Sequence, residues 1–264
     1  MATLFDLLLR SAELLRETRP GTATGGTATT LVDAALDYPD GYFTGGTLFF
    51  TSGALAGRTA VVTAHAGGTL TFIPPVNPPR PVAAGDAYVA LSPHYTREDL
   101  RQAVAQTLEE IGTFTQVDTT LVSDSEAEEY FLPEDVHHVV RVMVARNDTE
   151  PFRWTIHRHW RQIGRTLYLD EPLHSDGMPV RLLHNARHAP LSADSDPLDD
   201  NLSGVLGRLA VTVAYYAALR RAQNVGDQEP KTGKLVEALA EQKFLLAMFA
   251  PIPRYSRDTR LSQW

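Results

Sequence analysis

The hydrophobic positions change period several times along this chain, and each change marks a different kind of element. Leu4, Leu7, Leu8, Leu14 and Leu15 recur at helical spacing, with Asp6, Arg10, Glu13 and Arg16 between them. That predicts an amphipathic helix over 3–17, stopped by Pro20 and Gly21. From Gly21 to Leu91, Thr, Val and Phe alternate with small residues, and Gly, Pro, Asn or Asp interrupts them at short intervals. This is the pattern of short strands joined by tight turns, expected over 29–32, 47–50, 59–64, 69–73 and 87–91. The run His65-Ala66-Gly67-Gly68 reads as a hairpin turn, because paired glycines supply positive φ. Pro74, Pro75, Pro78, Pro79 and Pro81 make a stiff connection that cannot donate to a central strand.

Helical period returns at Thr96, which caps a helix with Asp99 three residues on. Its apolar stripe is Leu100, Val104, Leu108 and Ile111, and Gly112 ends it. Strand-like alternation follows over 139–145, 152–159, 166–169 and 180–183, with an acidic loop over 123–135 and an Asp-rich loop over 191–201. The last third is helical. Leu202, Leu206, Leu209, Val213 and Ala217 form one face, and a final helix covers 234–249 before Pro251 and Pro253. The expected fold class is therefore α+β. A helical bundle core of about four helices carries an inserted small antiparallel β module near the N-terminus and a second β region mid-chain. The expected organisation is a helix over 1–20 joining the core, the β module over 21–95, the core over 96–250, and an extended tail over 251–264. The stripe after Asn201 is expected to bring identical copies side by side.

Composition narrows the function classes. The 264 residues are 43% hydrophobic and 21% charged, which is globular. A net charge of -8 argues against a general nucleic-acid binder, whose affinity comes from Lys and Arg neutralising phosphates. Without cysteine, disulfides and thiolate metal sites are excluded. Charges break the N-terminal apolar run, so no standard export leader is expected. The longest nearly uncharged helical run, 209–219, is far short of the ~20 residues a membrane span needs.

Catalytic signatures are absent: no G-x-S-x-G, no H-E-x-x-H, no dinucleotide G-x-G-x-x-G. The segment 226–234 has the texture of a P-loop but lacks the Gly before its Lys-Thr pair, and a helix–helix loop is the plainer reading. His157 and His159 are two apart on an expected strand, and with His137, His138, His184 and His188 they are candidate Zn²⁺ ligands. The alternative is a solvated strand face beside Arg153, Arg158 and Arg161. Asp194, Asp196, Asp199 and Asp200 place oxygens close together as a Ca²⁺ loop would, but without the mid-loop Gly and terminal Glu of an EF-hand. Capping of the next helix is the preferred role. No catalytic residue, cofactor or metal is expected. Scattered aromatics leave a carbohydrate site at Trp154, Tyr168 and His157, or a convergent His–Asp hydrolase pair, as less favoured alternatives.

The tail is different. Arg254, Tyr255, Arg257, Arg260, Leu261 and Trp264 are the residue types that anchor protein interfaces, and they are candidates for docking on a partner. The acidic loop contributes Asp124, Glu126, Glu128 and Glu129 as a candidate charged face.

The stretch 165–218 resembles the C-terminal half of bacteriophage head-to-tail adaptor (neck or connector) proteins. It runs through a strand ending in Leu-Asp, a Gly-Met-Pro turn, a Val-Arg-Leu strand, an Asp-rich loop and a long Ala-rich helix. Tyr130-Phe131-Leu132-Pro133 with the strand after it is similar, and the module after Gly21 is similar to small β modules of tailed-phage structural proteins. The inserted module is a departure from the smaller adaptors. The resemblance implies a virion protein made in the host cytoplasm, without enzymatic activity, forming a dodecameric ring between portal and tail. It implies that the tail segment docks on the portal protein, that a further neck or tail protein binds the other side, and that DNA passes without specific binding. The acidic loop would face the channel or the next ring. Another phage neck or tail component (stopper, tail-completion or baseplate) is the alternative.

Overall fold

Helix α1 (Leu4–Leu14) starts where the chain says it should. Thr3 accepts from the Asp6 N–H while the Asp6 carboxylate accepts from Thr3, a closed capping box. The computed structural model describes residues 2–134, 136, 138–147, 149–173, 176–198, 200–225 and 230–249. The chain divides into two units. One runs up to Glu110 and resumes from Ala189 through the last helix; the other is Ile111–His188.

The first unit is built on a seven-stranded antiparallel sheet. Its strands are β1 (Thr18–Thr22), β2 (Gly25–Gly26), β3 (Thr30–Val32), β4 (Thr47–Phe50), β5 (Arg58–Ala66), β6 (Thr69–Phe72) and β7 (Ala87–Leu91), in the order β1-β7-β4-β5-β6-β3-β2. The two end strands are consecutive in the chain. Ala23 between them bonds across to Gly85 and Asp86, and Thr24 bonds to Val32. The sheet therefore curls round on itself as a small barrel, with its end strands β1 and β2 running on from one another across the seam. Alternation sorts its side chains. Leu31, Leu48, Phe50, Ala60, Val62, Leu70, Phe72, Tyr88 and Ala90 fill the interior. Phe49, Val89 and Leu91 point outward yet are buried too, and Phe5 of α1 meets Phe49 edge-on at 6.0 Å. Helices thus cover part of the barrel wall, which explains why β4 is buried at all four positions.

The remaining helices are α2 (Arg97–Ile111), the single turn α3 (Asp200–Ser203), α4 (Leu206–Val225) and α5 (Pro230–Phe249). Thr96 and Asp99 form the expected capping box, with Asp99 N–H donating to Thr96 Oγ1 at 3.2 Å and Thr96 N–H to Asp99 Oδ2 at 2.9 Å. Gly112 takes φ 76° just past α2, as a helix-ending glycine does. A network ties three helices together. Glu110 accepts from Tyr216 at 2.6 Å and from Lys243 at 2.8 Å, and the Lys243 ammonium lies over both Tyr215 and Tyr216.

The second unit has two layers. A four-stranded antiparallel sheet has the order β11-β10-β14-β8, from β8 (Thr113–Val122), β10 (His138–Ala145), β11 (Trp154–His157) and β14 (Pro179–Arg187). A three-stranded sheet has the order β12-β13-β9, from β9 (Glu129–Phe131), β12 (Trp160–Ile163) and β13 (Thr166–Leu169). Tyr130, Leu167 and Leu169 from one layer share a core with Val139, Val142, Val180 and Leu182 from the other.

This architecture corrects the expected fold class. Fourteen strands in three antiparallel sheets dominate the described residues, and the helical bundle core is not formed. The apolar stripe after Asn201 is correspondingly not free to join copies. Leu202, Leu209, Val213 and Ala217 are all buried within the chain. From Leu209 to Ala214 every residue is buried, so α4 is an internal helix and not a one-sided surface helix. Pro20 and Gly21 do not stop α1 either; it ends at Leu14, Arg16 turns the chain with φ 59°, and both residues lie in β1. Pro20 is tolerated there because β1 pairs along its length with β7 alone.

Candidate interaction surfaces

Two carboxylates buried in the first unit, Asp33 and Asp194, are committed to holding the fold. Asp33 sits 4% exposed in the barrel, accepting from the Tyr88 hydroxyl at 2.7 Å and from the Ala35 N–H at 2.8 Å. Burial, then the adjacent Asp33 carboxylate, pushes the Tyr88 hydroxyl far above its ordinary range. Gly21 makes room for the pair: a Cβ there would stand 2.5 Å from the Tyr88 oxygen and 2.6 Å from Asp33. The sequence offers no local sign of this contact, since its partners lie 55 residues apart.

The Asp-rich loop has structural work of the same kind. Asp194 takes the Thr59 N–H and hydroxyl at 2.7 and 2.8 Å and the Arg97 guanidinium at 2.9 Å, with Arg101 at 3.8 Å. Its carbonyl receives the N–H of Phe5 at the start of α1. Asp196 accepts the N–H groups of Ala193 and Ser192, which hold its carboxyl below the ordinary value. The two carboxylates are thus directed at backbone and Arg; Asp199 lies outside the described residues.

The histidines are not gathered. His157 ends β11, and its ring nitrogen contacts the His159 carbonyl at 3.0 Å in the turn that follows. His184 is buried on β14, opposite Val139, and His138 is exposed on β10. His137 lies outside the described residues. Among the described residues no group of three His, Asp or Glu is placed to hold a metal. Of the P-loop-like segment, 226–229 lie outside the described residues, and Lys231 to Lys234 belong to the first turns of α5. The carbohydrate trio is also dispersed. Trp154 and His157 point to opposite faces of β11, and Tyr168 lies on the other sheet. The Trp154 ring is covered by the Arg181 guanidinium at 4.1 Å, and Arg161 lies over Tyr168 at 5.6 Å.

The acidic loop is well fixed at its base. Ser123 is buried, and its backbone bonds to Met178 and Gly177. Tyr130 ties the loop down through its hydroxyl, which donates to the Asp124 carbonyl and accepts from the Asp124 N–H, both at 2.9 Å. Burial, with Asp124 and Asp176 nearby, raises the Tyr130 hydroxyl, although the Asp124 backbone bond works against the rise. Asp176 receives the Ser125 N–H at 2.6 Å, and the Ser125 hydroxyl together with that N–H lowers its carboxyl. On this frame Asp124, Glu126, Glu128 and Glu129 project into solvent. The same loop leads directly into β9, whose Phe131 is 78% exposed.

Exposed apolar side chains were the feature that reading the sequence missed. On the three-stranded sheet, Phe131 pairs with Thr166 and Thr166 with Ile163, so the three stand in one row on the outer face. Ile163 is 60% exposed. On the four-stranded sheet, the outer face carries Val117, 57% exposed, and Ile156, 46% exposed, with Met143 and Leu183 between them. On α5, Phe244 and Leu245 are exposed close to the tail. The docking candidates Arg254, Tyr255, Arg257, Arg260, Leu261 and Trp264 lie outside the described residues. Period-two alternation could have pointed to Phe131 and Ile163, but only with the knowledge of which face the core occupies.

Among the described residues no helix is long and apolar enough to cross a membrane. Compared with known protein families and with curated proteins, the chain matches none.

Proposed function

We propose that this chain is a structural virion protein of a tailed bacteriophage, forming a ring between portal and tail that extends the DNA channel. The observation that carries the reading is the second unit. It completes its own core and still holds Phe131, Ile163, Val117 and Ile156 in solvent. Apolar side chains standing in contiguous rows outside a finished core suit a part that is assembled with others. The buried carboxylates Asp33 and Asp194 suit the same reading, since both are used for holding elements together. A net charge of -8 suits a passage that DNA crosses without adhering. Phe244 and Leu245 place apolar surface next to a tail rich in Arg and aromatics, which supports docking of that tail on the portal.

A second reading has an observation of its own. The predominance of antiparallel sheet favours a stopper, tail-completion or other neck component over an adaptor with a helical core. Cross-linking in intact particles separates the two. Contacts with the portal support the adaptor, and contacts with the tail-tube protein alone support the second reading. Truncation after Ala250 is expected to abolish portal binding while leaving the melting transition in place; intact binding would remove the tail from its docking role. Absence of the chain from particles would end both readings.

A further inference from the structure

The two layers of the second unit present outer faces of opposite character. On the three-stranded sheet the outer rows are Glu129–Tyr168–Arg161 and Phe131–Thr166–Ile163. The loop running into that face adds Asp124, Glu126 and Glu128, all exposed. On the four-stranded sheet the outer rows are Ile156–Met143–Arg181 and Arg141–Leu183–Val117, with Arg187 further along β14. Among the described residues, no paired position on that outer face is Asp or Glu. The first face is thus apolar, with Glu129 and Arg161 offsetting each other in its second row and the acidic loop at its border, and the other is apolar and basic.

We infer that these faces bind each other between copies: the three-stranded face of one subunit docks on the four-stranded face of the next. This rests on the ring reading above and specifies its surface. Charge complementarity selects the occupant. Two like faces meeting would bring acidic borders together, or Arg141 and Arg181 against their own copies, and like charges in contact are disfavoured. The unlike pairing sets Phe131 and Ile163 against Val117 and Ile156, with Glu129 and its loop toward Arg141. A contact between two different faces is heterologous and propagates head to tail, closing as a ring when the rotation permits. The buried stripe of α4 leaves this task to the sheets.

Sedimentation velocity of the full chain tests it. Wild type assembles beyond the single subunit. Phe131→Asp with Ile163→Asp disables one face, Val117→Asp with Ile156→Asp the other, and each double variant sediments as a single subunit with an unchanged circular-dichroism melt. Mixed in equal amounts, the two give a one-to-one pair and nothing larger, because each retains one working face. A second, milder pair uses charge. Arg141→Glu alone weakens assembly about tenfold or more, and adding Glu129→Arg in the same chain restores it. A double variant that assembles as wild type does, a mixture that stays single, or a charge swap without restoration overturns the inference while leaving the ring reading in place. A wild type that stays solitary at every concentration also overturns it. The ring reading is judged separately, by the chain's presence and neighbours in particles.

Discussion

The carboxylate of Asp194 accepts both the backbone N–H and the hydroxyl of Thr59, at 2.7 and 2.8 Å, across 135 residues of chain. Thr59 faces outward from the barrel, and Arg97 reaches the same carboxylate from the first turn of α2. One buried side chain therefore joins barrel wall, helix and returning loop. Asp194→Ala leaves the Thr59 donors without a partner and Arg97 without its counter-charge. It is expected to cost about 3 kcal/mol in urea unfolding, with Asp194→Asn retaining part of the loss.

Gly21 faces the Asp33–Tyr88 pair so closely that no side chain fits. Gly21→Ala would place a Cβ 2.5 Å from Tyr88 and is expected to destabilise by about 2–3 kcal/mol. Alanine at Gly25, where nothing stands within 4 Å, is the control and should change stability far less. Equal losses at both positions would show that the barrel interior is not the constraint.

Stability should decline at both extremes of pH. The Tyr88 hydroxyl is raised above its ordinary 10.0, so its contribution is complete below that pH and is lost as pH rises past it. Lys243 is raised above its ordinary 10.5; burial lowers it, but bonds to Glu110 and Tyr216 prevail, and its contribution also fades at alkaline pH. The Asp196 carboxyl is lowered from 3.8, so its contribution is present above that value and disappears as pH falls below it. Urea midpoints measured against pH should fall toward both extremes. Tyr88→Phe should soften the alkaline decline.

Phe131 is the converse case. At 78% exposure its removal should leave the folded state nearly untouched, with Phe131→Ser within about 0.5 kcal/mol of wild type by denaturant unfolding. A loss of several kcal/mol would mean that the side chain is part of a core after all.

Local structure was legible wherever it depends on neighbours in the chain. The strands 47–50 and 87–91 were expected and occur as Thr47–Phe50 and Ala87–Leu91, and the Thr96–Asp99 box is present with both its bonds. The strand Thr113–Val122 was not legible. Its Thr, Gln and Asp alternate too weakly with apolar residues to read as a strand, and it gains its place only by pairing with β14. The acidic loop was visible as composition; that it ends in an exposed Phe131 row was not.

By itself the sequence determined the period of most segments and several of their caps and turns, because these follow from side chains a few residues apart. Only the tertiary structure decided what each apolar stripe meets. The same Leu, Val and Ala spacing serves a bundle, a ring contact or a layer over a barrel, and here Leu209 and Val213 are buried inside the chain while Ile163 and Val117 stay in solvent. Burial is a property of partners distant in sequence, and hydrophobic attraction carries no direction that spacing alone could reveal.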